Sequence, residues 1–362
     1  MDKHQFCVIM AGGGGNRFWP VTRESRPKQL INVKGTSMLR RAYERCRGLV
    51  PDENILVVTL EDYKDLVREI LPELSLENIL TEPYARKTGP CIAMATYCIL
   101  SRDPEAIVAV TPCDLIIRDN EKFRQTLSSA LDYVTSHPVL MTFGVVPTRP
   151  SPEYGYIQVQ GGKRSFTPGE PVAVKTFMEK PSEELAEVFV KSGEFLWNSG
   201  IFVWPAQLIR SEMETYMPQI TCQFEGWEQA FALGGLREFT ERAYSGCEKL
   251  SIDYGVMENT DKAWVWPSDF GWNDIGSWKT LYDAYTKDSA GNVVESRGDS
   301  NVLDSRGNMI VQRCEGKLVA ISGLDGFMVI DTPDVLLICP RSDDRYREIL
   351  ASLGTEQKKK YK

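Results

Sequence analysis

The stretch that decides the fold is residues 6–17, Phe6-Cys7-Val8-Ile9-Met10-Ala11-Gly12-Gly13-Gly14-Gly15-Asn16-Arg17, where an apolar run passes directly into four glycines. The run Phe6–Met10 predicts a short buried strand. Glycine carries no Cβ, so the backbone N–H groups of Gly12, Gly13, Gly14 and Gly15 can approach phosphate oxygens closely. A strand that ends in such a loop favours phosphate binding, and a flexible turn remains the alternative.

The same alternation of short apolar runs and longer amphipathic segments continues to about residue 145. The apolar runs predict strands at Ile55–Thr59, Ile79–Thr81, Ile107–Val110 and Val139–Gly144. The amphipathic segments predict helices at Thr36–Leu49, Glu61–Leu71, Pro90–Ser101 and Glu121–Ser136. Strand–helix alternation predicts an α/β fold with a mostly parallel, doubly wound sheet and helices on both faces. Ligands of such sheets bind beyond the carboxyl ends of the strands.

The pattern changes twice along the chain. From about 150 to 285 it becomes less regular, which we interpret as an insertion that completes the same domain and carries the second substrate. After Ser289, short β-type runs recur between Gly, Asp and Asn, which predicts a small β domain of stacked rungs or hairpins. The predicted organisation is therefore a catalytic domain at 1–288, a small β-rich domain at 289–352 and a basic tail at 353–362.

Composition excludes several classes of protein. The 362 residues are 42% hydrophobic and 25% charged with a net charge of −8, so nothing predicts binding to nucleic acid or to an anionic membrane. No apolar run reaches the roughly 18 residues that a membrane-spanning helix needs. Nine scattered cysteines without a C-x-x-C pair indicate thiols in a reducing cytoplasm. The two histidines, His4 and His137, are too few for a histidine-rich metal site.

The residues after the glycines exclude two common phosphate-binding motifs. A P-loop requires Lys followed by Ser or Thr after its last glycine, and here Asn16 and Arg17 follow. A dinucleotide-binding fingerprint requires a third glycine where Arg17 stands. Arg17 and Lys28 instead supply two cations within reach of the same phosphates, since arginine grips an oxyanion with a planar fork and lysine acts as a point charge.

At this point the chain resembles a known family. The stretch from Ala11 to Gln29 closely resembles the signature of the sugar-nucleotide pyrophosphorylases. Its form with Trp19-Pro20 and Pro27-Lys28-Gln29 is similar to the mannose-1-phosphate guanylyltransferase branch. The resemblance implies a Rossmann-like nucleotidyltransferase domain in which Arg17 and Lys28 bind the triphosphate and act in catalysis.

Two aspartates are candidate metal ligands. Asp114 comes shortly after the predicted strand Ile107–Val110, and Asp274 lies in the stretch Gly271–Trp278. A hard cation such as Mg²⁺ takes oxygen ligands, often one or two carboxylates together with substrate phosphates. The resemblance implies that Asp114 and Asp274 hold Mg²⁺ or Mn²⁺, with loop capping as the alternative for each. The family often has His after the first Asp, where this chain has Leu115.

Three further segments match the family around the sugar phosphate. The stretch Phe177–Pro181 contains Glu179 and Lys180, to which the resemblance assigns contacts to sugar hydroxyls and to the sugar phosphate; an exposed Glu-Lys pair before a turn is the alternative. Lys180 is also a predicted catalytic residue. By the same resemblance, Gly155 and Asn198 line the sugar pocket.

Two more blocks extend the match. The segment Glu82–Pro90 resembles the family's base-binding segment, which implies that Glu82, Arg86 and Thr88 bind the nucleotide. Lys87 and Gly89 depart from the commonest form of that segment. Residues 251–258 also match the branch, but their role stays open, because helix capping explains them adequately.

The resemblance implies that GTP and mannose 1-phosphate react to give GDP-mannose and pyrophosphate, in a cytoplasmic homodimer with no nucleic-acid or membrane partner. Two alternatives remain. One is a pyrophosphorylase for another nucleoside triphosphate or hexose 1-phosphate. The other is a catalytically inactive sensor of nucleotide-sugars.

Overall fold

The computed structural model describes residues 1–13, 17–33, 35–161, 166–233, 236–274, 276–341, 345–354 and 361. Its strands are β1 (Gln5–Ala11), β2 (Asn32–Val33), β3 (Thr36–Ser37), β4 (Ile55–Leu60), β5 (Ile79–Glu82), β6 (Ile107–Pro112), β7 (Leu115–Ile117), β8 (Leu140–Val145), β9 (Tyr156–Val159), β10 (Val172–Met178), β11 (Phe195–Pro205), β12 (Ala263–Ser268), β13 (Trp272–Asp274), β14 (Val293–Ser296), β15 (Ser300–Leu303), β16 (Met309–Gln312), β17 (Val319–Ser322), β18 (Phe327–Asp331) and β19 (Leu336–Pro340). Its helices are α1 (Met38–Cys46), α2 (Lys64–Ile70), α3 (Thr88–Arg102), α4 (Asn120–Ser136), α5 (Glu183–Ser192), α6 (Ala206–Tyr216), α7 (Pro218–Thr221), α8 (Trp227–Leu233), α9 (Leu236–Gly246), α10 (Trp278–Ala284) and α11 (Arg345–Ser352).

The chain forms two compact units. The first unit comprises Met1–Gly13 and Leu39–Trp272, and the second comprises Gly14–Met38 and Asn273–Lys362. Each unit is therefore built from two separate pieces of the chain. The predicted domain boundary between residues 288 and 289 stays a prediction.

One sheet organises the first unit. Nine strands of the described residues form it in the order β5-β4-β1-β6-β11-β8-β12-β10-β9. Strands β5, β4, β1 and β6 pair in parallel, as do β8 and β12. Only β11 and β10 run opposite to the other strands of this sheet. The α/β prediction with a mostly parallel sheet is confirmed, and the carboxyl ends of β1, β5 and β6 meet at one edge, where ligands of such sheets bind.

Helix α3 lies in the core of the first unit. Every residue from Gly89 to Leu100 is buried, so the helix is covered all round rather than on one stripe. It packs against β1 and β4 and against α6 and α8. Because α3 begins at Thr88, its amino end is fixed beside the segment predicted to bind the nucleotide.

The second unit contains the C-terminal strands. β14, β16 and β18 stack in parallel, β19 adds antiparallel to β18, and β15 pairs in parallel with β17. Buried asparagines link successive levels of this stack: Asn308 donates from N and Nδ2 to Oδ1 of Asn292 at 3.0 and 3.1 Å, and Phe327 N donates to Oδ1 of Asn308 at 2.8 Å. The predicted β-rich character of the C-terminal part of the chain is confirmed, with parallel levels in β14, β16 and β18 and an antiparallel pair in β18 and β19.

The structure corrects some expected elements. The predicted helix Thr36–Leu49 is shorter, because Thr36–Ser37 pairs with Asn32–Val33 as a strand before α1 begins. Helix α9 was not predicted, although its buried Phe239 and Ala243 stand four residues apart on one face. The strand β14 and the helix α11 were also missed in the C-terminal part of the chain. Within the described ranges, no helix combines the length and the apolar character that crossing a membrane requires.

Candidate active site

The glycine loop begins at the carboxyl end of β1. Of the four predicted phosphate-binding glycines, Gly12 and Gly13 are described, and Gly14 and Gly15 lie outside the described residues. A Cβ built on Gly12 would collide with Oε2 of Glu82. Glycine at position 12 therefore lets the backbone at this residue approach the Glu82 carboxyl, so two residues predicted to bind the nucleotide lie together.

Glu82 has an unusual environment for a carboxyl group. It is 3% exposed at the end of β5, and the Tyr244 hydroxyl donates to its Oε1 at 3.1 Å. Burial raises the pKa of Glu82 to about 8, although the hydrogen bond from Tyr244 acts in the opposite direction. At neutral pH this carboxyl is therefore mainly protonated, and a neutral carboxyl can both donate and accept a hydrogen bond.

The connection between β5 and α3 carries the other predicted base-binding residues. Arg86 Nε donates to the Tyr244 carbonyl at 3.3 Å, and Thr88 Oγ1 accepts from Ile252 N at 3.0 Å. At position 89, where this chain departs from the commonest form of the family segment, the structure leaves no room for a side chain. A Cβ on Gly89 would lie 2.6 Å from the carbonyl oxygen of Leu250. Glu82, Arg86 and Thr88 thus share one short strand-to-helix connection.

The predicted sugar-pocket residues converge, although they come from three separate parts of the chain. Asn198 N donates to the Gly155 carbonyl at 2.8 Å. A Cβ built on Gly155 would lie 2.5 Å from Oε2 of Glu179 and 3.6 Å from Nδ2 of Asn198. The absence of a side chain at position 155 therefore leaves room for both polar groups. The structure brings Gly155, Glu179 and Asn198 to one place.

A bulge in β11 sets the position of Asn198. Asn198 pairs with Gly144 of β8 and Phe202 pairs with Thr142, so β11 has extra residues between two positions of its partner. Gly200 within the bulge has a φ of +72°, a conformation that glycine adopts readily. Such bulges redirect a side chain out of the regular pleat.

Lys180 follows β10 and carries the positive charge of this cluster. Its Nζ lies 2.6 Å from Oε1 of Glu179, whose side chain is only 9% exposed. Burial by itself would lower the pKa of Lys180, but the hydrogen bond and charge of Glu179, together with the charges of Asp253 and Tyr254, raise the pKa above its ordinary value. Lys180 is therefore protonated at neutral pH. Its side chain is 55% exposed, so a phosphate group can reach it.

In the second unit, aromatic packing anchors the residues that follow the glycine loop. The ring of Phe18 meets Trp278 edge to face at 5.3 Å, and Trp278 Nε1 donates to the Trp19 carbonyl at 3.0 Å. The Tyr346 hydroxyl donates to the Arg17 carbonyl at 2.9 Å. The backbone of Arg17 is thereby held at a defined place in this unit.

Arg17 and Asp274 flank the same glycine. A Cβ built on Gly276 would lie 3.4 Å from Nη1 of Arg17 and 3.8 Å from Oδ2 of Asp274. Lys28, the other predicted triphosphate ligand, begins a 3₁₀ turn that ends at Leu30. A predicted cation for the triphosphate and a predicted metal ligand therefore both lie beside Gly276 in the second unit.

The other predicted metal ligand belongs to the first unit. Asp114 stands between β6 and β7, next to Cys113, whose N–H donates to the Met10 carbonyl at 3.1 Å. Leu115, where the family often has His, is buried in β7. No group of three or more His, Cys, Asp or Glu side chains with metal-ligand geometry occurs among the described residues. A site of two carboxylates needs no such group, and the joint binding of one ion by Asp114 and Asp274 stays a prediction.

Sequence reasoning left one contributor unassigned. Asp253 accepts a hydrogen bond from Asn198 Nδ2 at 2.9 Å. The only signal in the sequence was the match of residues 251–258 to the family, because Asp253 and Asn198 are far apart in the chain.

Known proteins resemble this chain over most of its length. The model of the nucleotidyl transferase family matches residues 6–291, a range that includes every predicted site residue. A putative mannose-1-phosphate guanylyltransferase of Vibrio cholerae is 33% identical over 98% of this chain and 76% of its own length. The mannose-1-phosphate guanylyltransferase of Escherichia coli K12 is 36% identical over 93% of this chain and 70% of its own length. A crystal structure from Thermus thermophilus, described as a mannose-1-phosphate geranyltransferase, superposes with a TM-score of 0.85 at 29% identity and covers 97% of this chain and 100% of that chain.

Proposed function

The chain belongs to the nucleotidyl transferase family, and on that premise we propose that it transfers the guanylyl group of GTP to mannose 1-phosphate, forming GDP-mannose and releasing pyrophosphate. The two relatives named as mannose-1-phosphate guanylyltransferases support this substrate pair. Within the structure, the strongest support is the convergence of Gly155, Glu179, Lys180 and Asn198, which joins hydrogen-bonding groups for a sugar to a cation for its phosphate.

The reaction needs no nucleophile from the protein. An oxygen of the sugar phosphate attacks the α-phosphorus of GTP and forms the new P–O bond. The bond from the α-phosphorus to the oxygen that bridges to the β-phosphorus breaks, and its electron pair leaves with pyrophosphate. Because the attacking phosphate is already an anion, no general base is required. The protein contributes alignment of the two polyanions and compensation of their charges.

Each group of residues has a distinct role in this scheme. Lys180 steers the sugar phosphate, while Glu179 and Asn198 hydrogen-bond the sugar. Arg17 and Lys28 stabilise the charge that builds on the departing pyrophosphate. The base lies against the segment Glu82–Thr88, and Gly12 to Gly15 receive phosphate oxygens at backbone N–H groups.

A divalent cation completes the proposal. Asp114 and Asp274 would hold Mg²⁺ or Mn²⁺, since carboxylate oxygens are ligands that suit these ions. When bound, such an ion supplies positive charge for the nucleotide phosphates and helps to fix their orientation.

The proposal extends to location and assembly. The nine cysteines all lie in described residues and are thiols, which favours the cytoplasm. A homodimer is favoured by β19, an edge strand of its sheet on which Leu336 and Ile338 are 59% and 51% exposed. Exposed apolar edge strands are surfaces that another chain commonly covers.

The deciding experiment is a magnesium-dependent pyrophosphate-release assay across GTP, ATP, UTP and dTTP, each combined with mannose 1-phosphate and glucose 1-phosphate. We expect GTP with mannose 1-phosphate to give the highest turnover. A preference for UTP or dTTP would contradict the guanylyl assignment and favour a different pyrophosphorylase. Binding of GDP-mannose without pyrophosphate release from any pair would instead support the inactive sensor.

A further inference from the structure

We infer that residues 250–258 form a positioning segment for the sugar-phosphate site, in which Asp253 orients the Asn198 amide and Tyr254 and Glu258 hold the backbone that presents Lys180. The inference deepens the proposed function and rests on it for the identity of the ligand. Most of the segment is a π-helical turn, Asp253–Met257. Turns of this kind are rare and occur frequently at functional sites.

The first line of support is the hydrogen bonding of the Asn198 amide. Its Oδ1 accepts from Gly200 N at 3.2 Å and lies 2.8 Å from the Thr142 hydroxyl, whose single hydrogen is shared with the Ile201 carbonyl at 3.0 Å. The Gly200 N–H can only donate, so it fixes which end of the amide is oxygen, and the NH₂ group faces the other way. There it donates one hydrogen to Oδ1 of Asp253 at 2.9 Å. An amide NH₂ has two hydrogens, and the second meets no acceptor among the described residues, so it is available to a sugar hydroxyl.

The second line of support is the backbone at Lys180. Its φ is +47°, in the left-handed region that residues with a Cβ rarely adopt. Such a conformation persists only where the surroundings determine it. Glu258 Oε1 accepts from Glu179 N at 2.8 Å, and the Tyr254 hydroxyl donates to the Glu179 carbonyl at 3.3 Å. The backbone N–H and the backbone carbonyl of Glu179, the residue before Lys180, are thereby both bound by side chains of the positioning segment.

The third line of support is the charge around Asp253. Burial and the charge of Glu179 raise the pKa of Asp253 to about 7, against the opposing effects of Lys180 and Asn198. Asp253 thus interacts with the charges of Glu179 and Lys180 as well as with the Asn198 amide, which it contacts at 2.9 Å. Asparagine has the shape and the acceptor oxygen of aspartate. Because a large fraction of Asp253 is neutral at pH 7, asparagine also matches the charge of that fraction.

The segment itself is anchored at its beginning. Leu250 O accepts from Gly89 N at 3.0 Å, and Ile252 N donates to Thr88 Oγ1 at 3.0 Å. Both contacts are to the first residues of the buried helix α3. A Cβ on Gly255 would collide with Met217, so close packing also fixes the middle of the turn. The segment is thus tied to the core of the first unit at its beginning and at its middle.

Substrate binding gives the first test, on the full-length chain. Asp253→Ala removes the acceptor for Asn198, and we expect calorimetry to show about tenfold weaker binding of mannose 1-phosphate with GTP binding unchanged, as one lost hydrogen bond predicts. Asp253→Asn restores the acceptor and should bind within about threefold of the wild type. In steady-state assays the change should appear in KM for mannose 1-phosphate and not in KM for GTP. Unchanged sugar-phosphate binding in a folded Asp253→Ala protein, or equal losses for both substrates, would overturn the role of Asp253.

A second test needs no substrate, so it separates failure of this inference from failure of the proposed function. Hydrogen–deuterium exchange at the Glu179 amide should accelerate in Glu258→Ala and in Tyr254→Phe. The matched control is Tyr216→Phe, which alters an exposed tyrosine on α6 outside the segment. Tyr254 is 41% exposed, so its replacement by phenylalanine should not impair folding. Exchange equal to that of the wild type in both segment variants would refute the positioning role, whatever the substrate proves to be.

Discussion

Replacing Gly155 with alanine tests the sugar-phosphate site directly, because the missing side chain makes room for two predicted ligands. The new Cβ would lie 2.5 Å from Oε2 of Glu179 and 3.2 Å from Cβ of Asn198. The first distance is a clash between carbon and oxygen, and the second is shorter than the ~3.5–4.0 Å at which two carbon atoms attract each other best. The backbone at Gly155 is not left-handed, so the substitution acts through sterics and not through backbone strain. The Glu179 carboxylate or the Asn198 amide must therefore move.

The expected size of the effect follows from this overlap. Displacing Glu179 and Asn198 removes two hydrogen bonds to the sugar, each worth ~0.5–1.5 kcal/mol, or ~1–3 kcal/mol together. At ~1.36 kcal/mol per tenfold change, that range corresponds to roughly 5- to 150-fold weaker binding. We expect the loss to fall on mannose 1-phosphate, because Glu179 and Asn198 are the groups displaced. GTP should bind as before, since its predicted ligands lie elsewhere.

Calorimetry with each substrate alone measures the two effects separately, and a thermal melt checks that the variant is folded. Gly354→Ala is the matched control, because among the described residues a Cβ there meets only the Ala351 carbonyl oxygen at 3.7 Å, an ordinary contact. The reasoning fails if folded Gly155→Ala binds mannose 1-phosphate like the wild type, or if it loses affinity for GTP to the same extent.

Three further predictions address the metal, the buried carboxyl and the assembly. Asp114→Asn and Asp274→Asn should each lower turnover by about 100-fold or more, because each removes one charged ligand of the metal ion. At ~1.36 kcal/mol of activation free energy per tenfold in rate, this is a loss of ~2.7 kcal/mol or more. Near-normal rates at low Mg²⁺ would exclude that residue from the metal site. The folded-state pKa of Glu82, about 8, lies above its ordinary value, so this group destabilises the fold progressively as pH rises from about 4.5 to 8. This loss of unfolding free energy is at most about 5 kcal/mol, and Glu82→Gln should not show it. Urea unfolding at several pH values measures it, and the same pH dependence in the wild type and in Glu82→Gln would contradict the prediction. Leu336→Lys combined with Ile338→Lys should convert a dimer into a monomer in light scattering, and a wild-type chain that is already monomeric would refute the dimer.

Local pattern was sufficient to predict most of the secondary structure. The apolar run at Phe6–Met10 became β1, and the alternation that follows gave the parallel core of the sheet. Periodicity and turn residues act over a few neighbours, so they are readable without tertiary information. Expectations failed where tertiary pairing overrides local preference, as at Thr36–Ser37, which joins Asn32–Val33 in a hairpin instead of starting α1.

The sequence by itself determined which chemical groups this protein has and roughly where they stand. The glycines after β1, the cations Arg17 and Lys28 and the Glu179-Lys180 pair are all visible in order along the chain. These groups could be assigned because each lies in a short motif at the end of a predicted strand.

Only the tertiary structure decided which of these groups meet. The Asn198 amide is oriented by Thr142 and Asp253, which lie 56 and 55 residues away in sequence. The raised pKa of Glu82 likewise arises from burial, and that of Asp253 from burial and the charge of Glu179. Hydrogen bonds, desolvation and Coulomb interactions depend on distance in space, and the path of the backbone between two motifs is set by the packing of the whole sheet. A motif therefore reveals a residue's chemistry, while the fold selects the partners that put it to use.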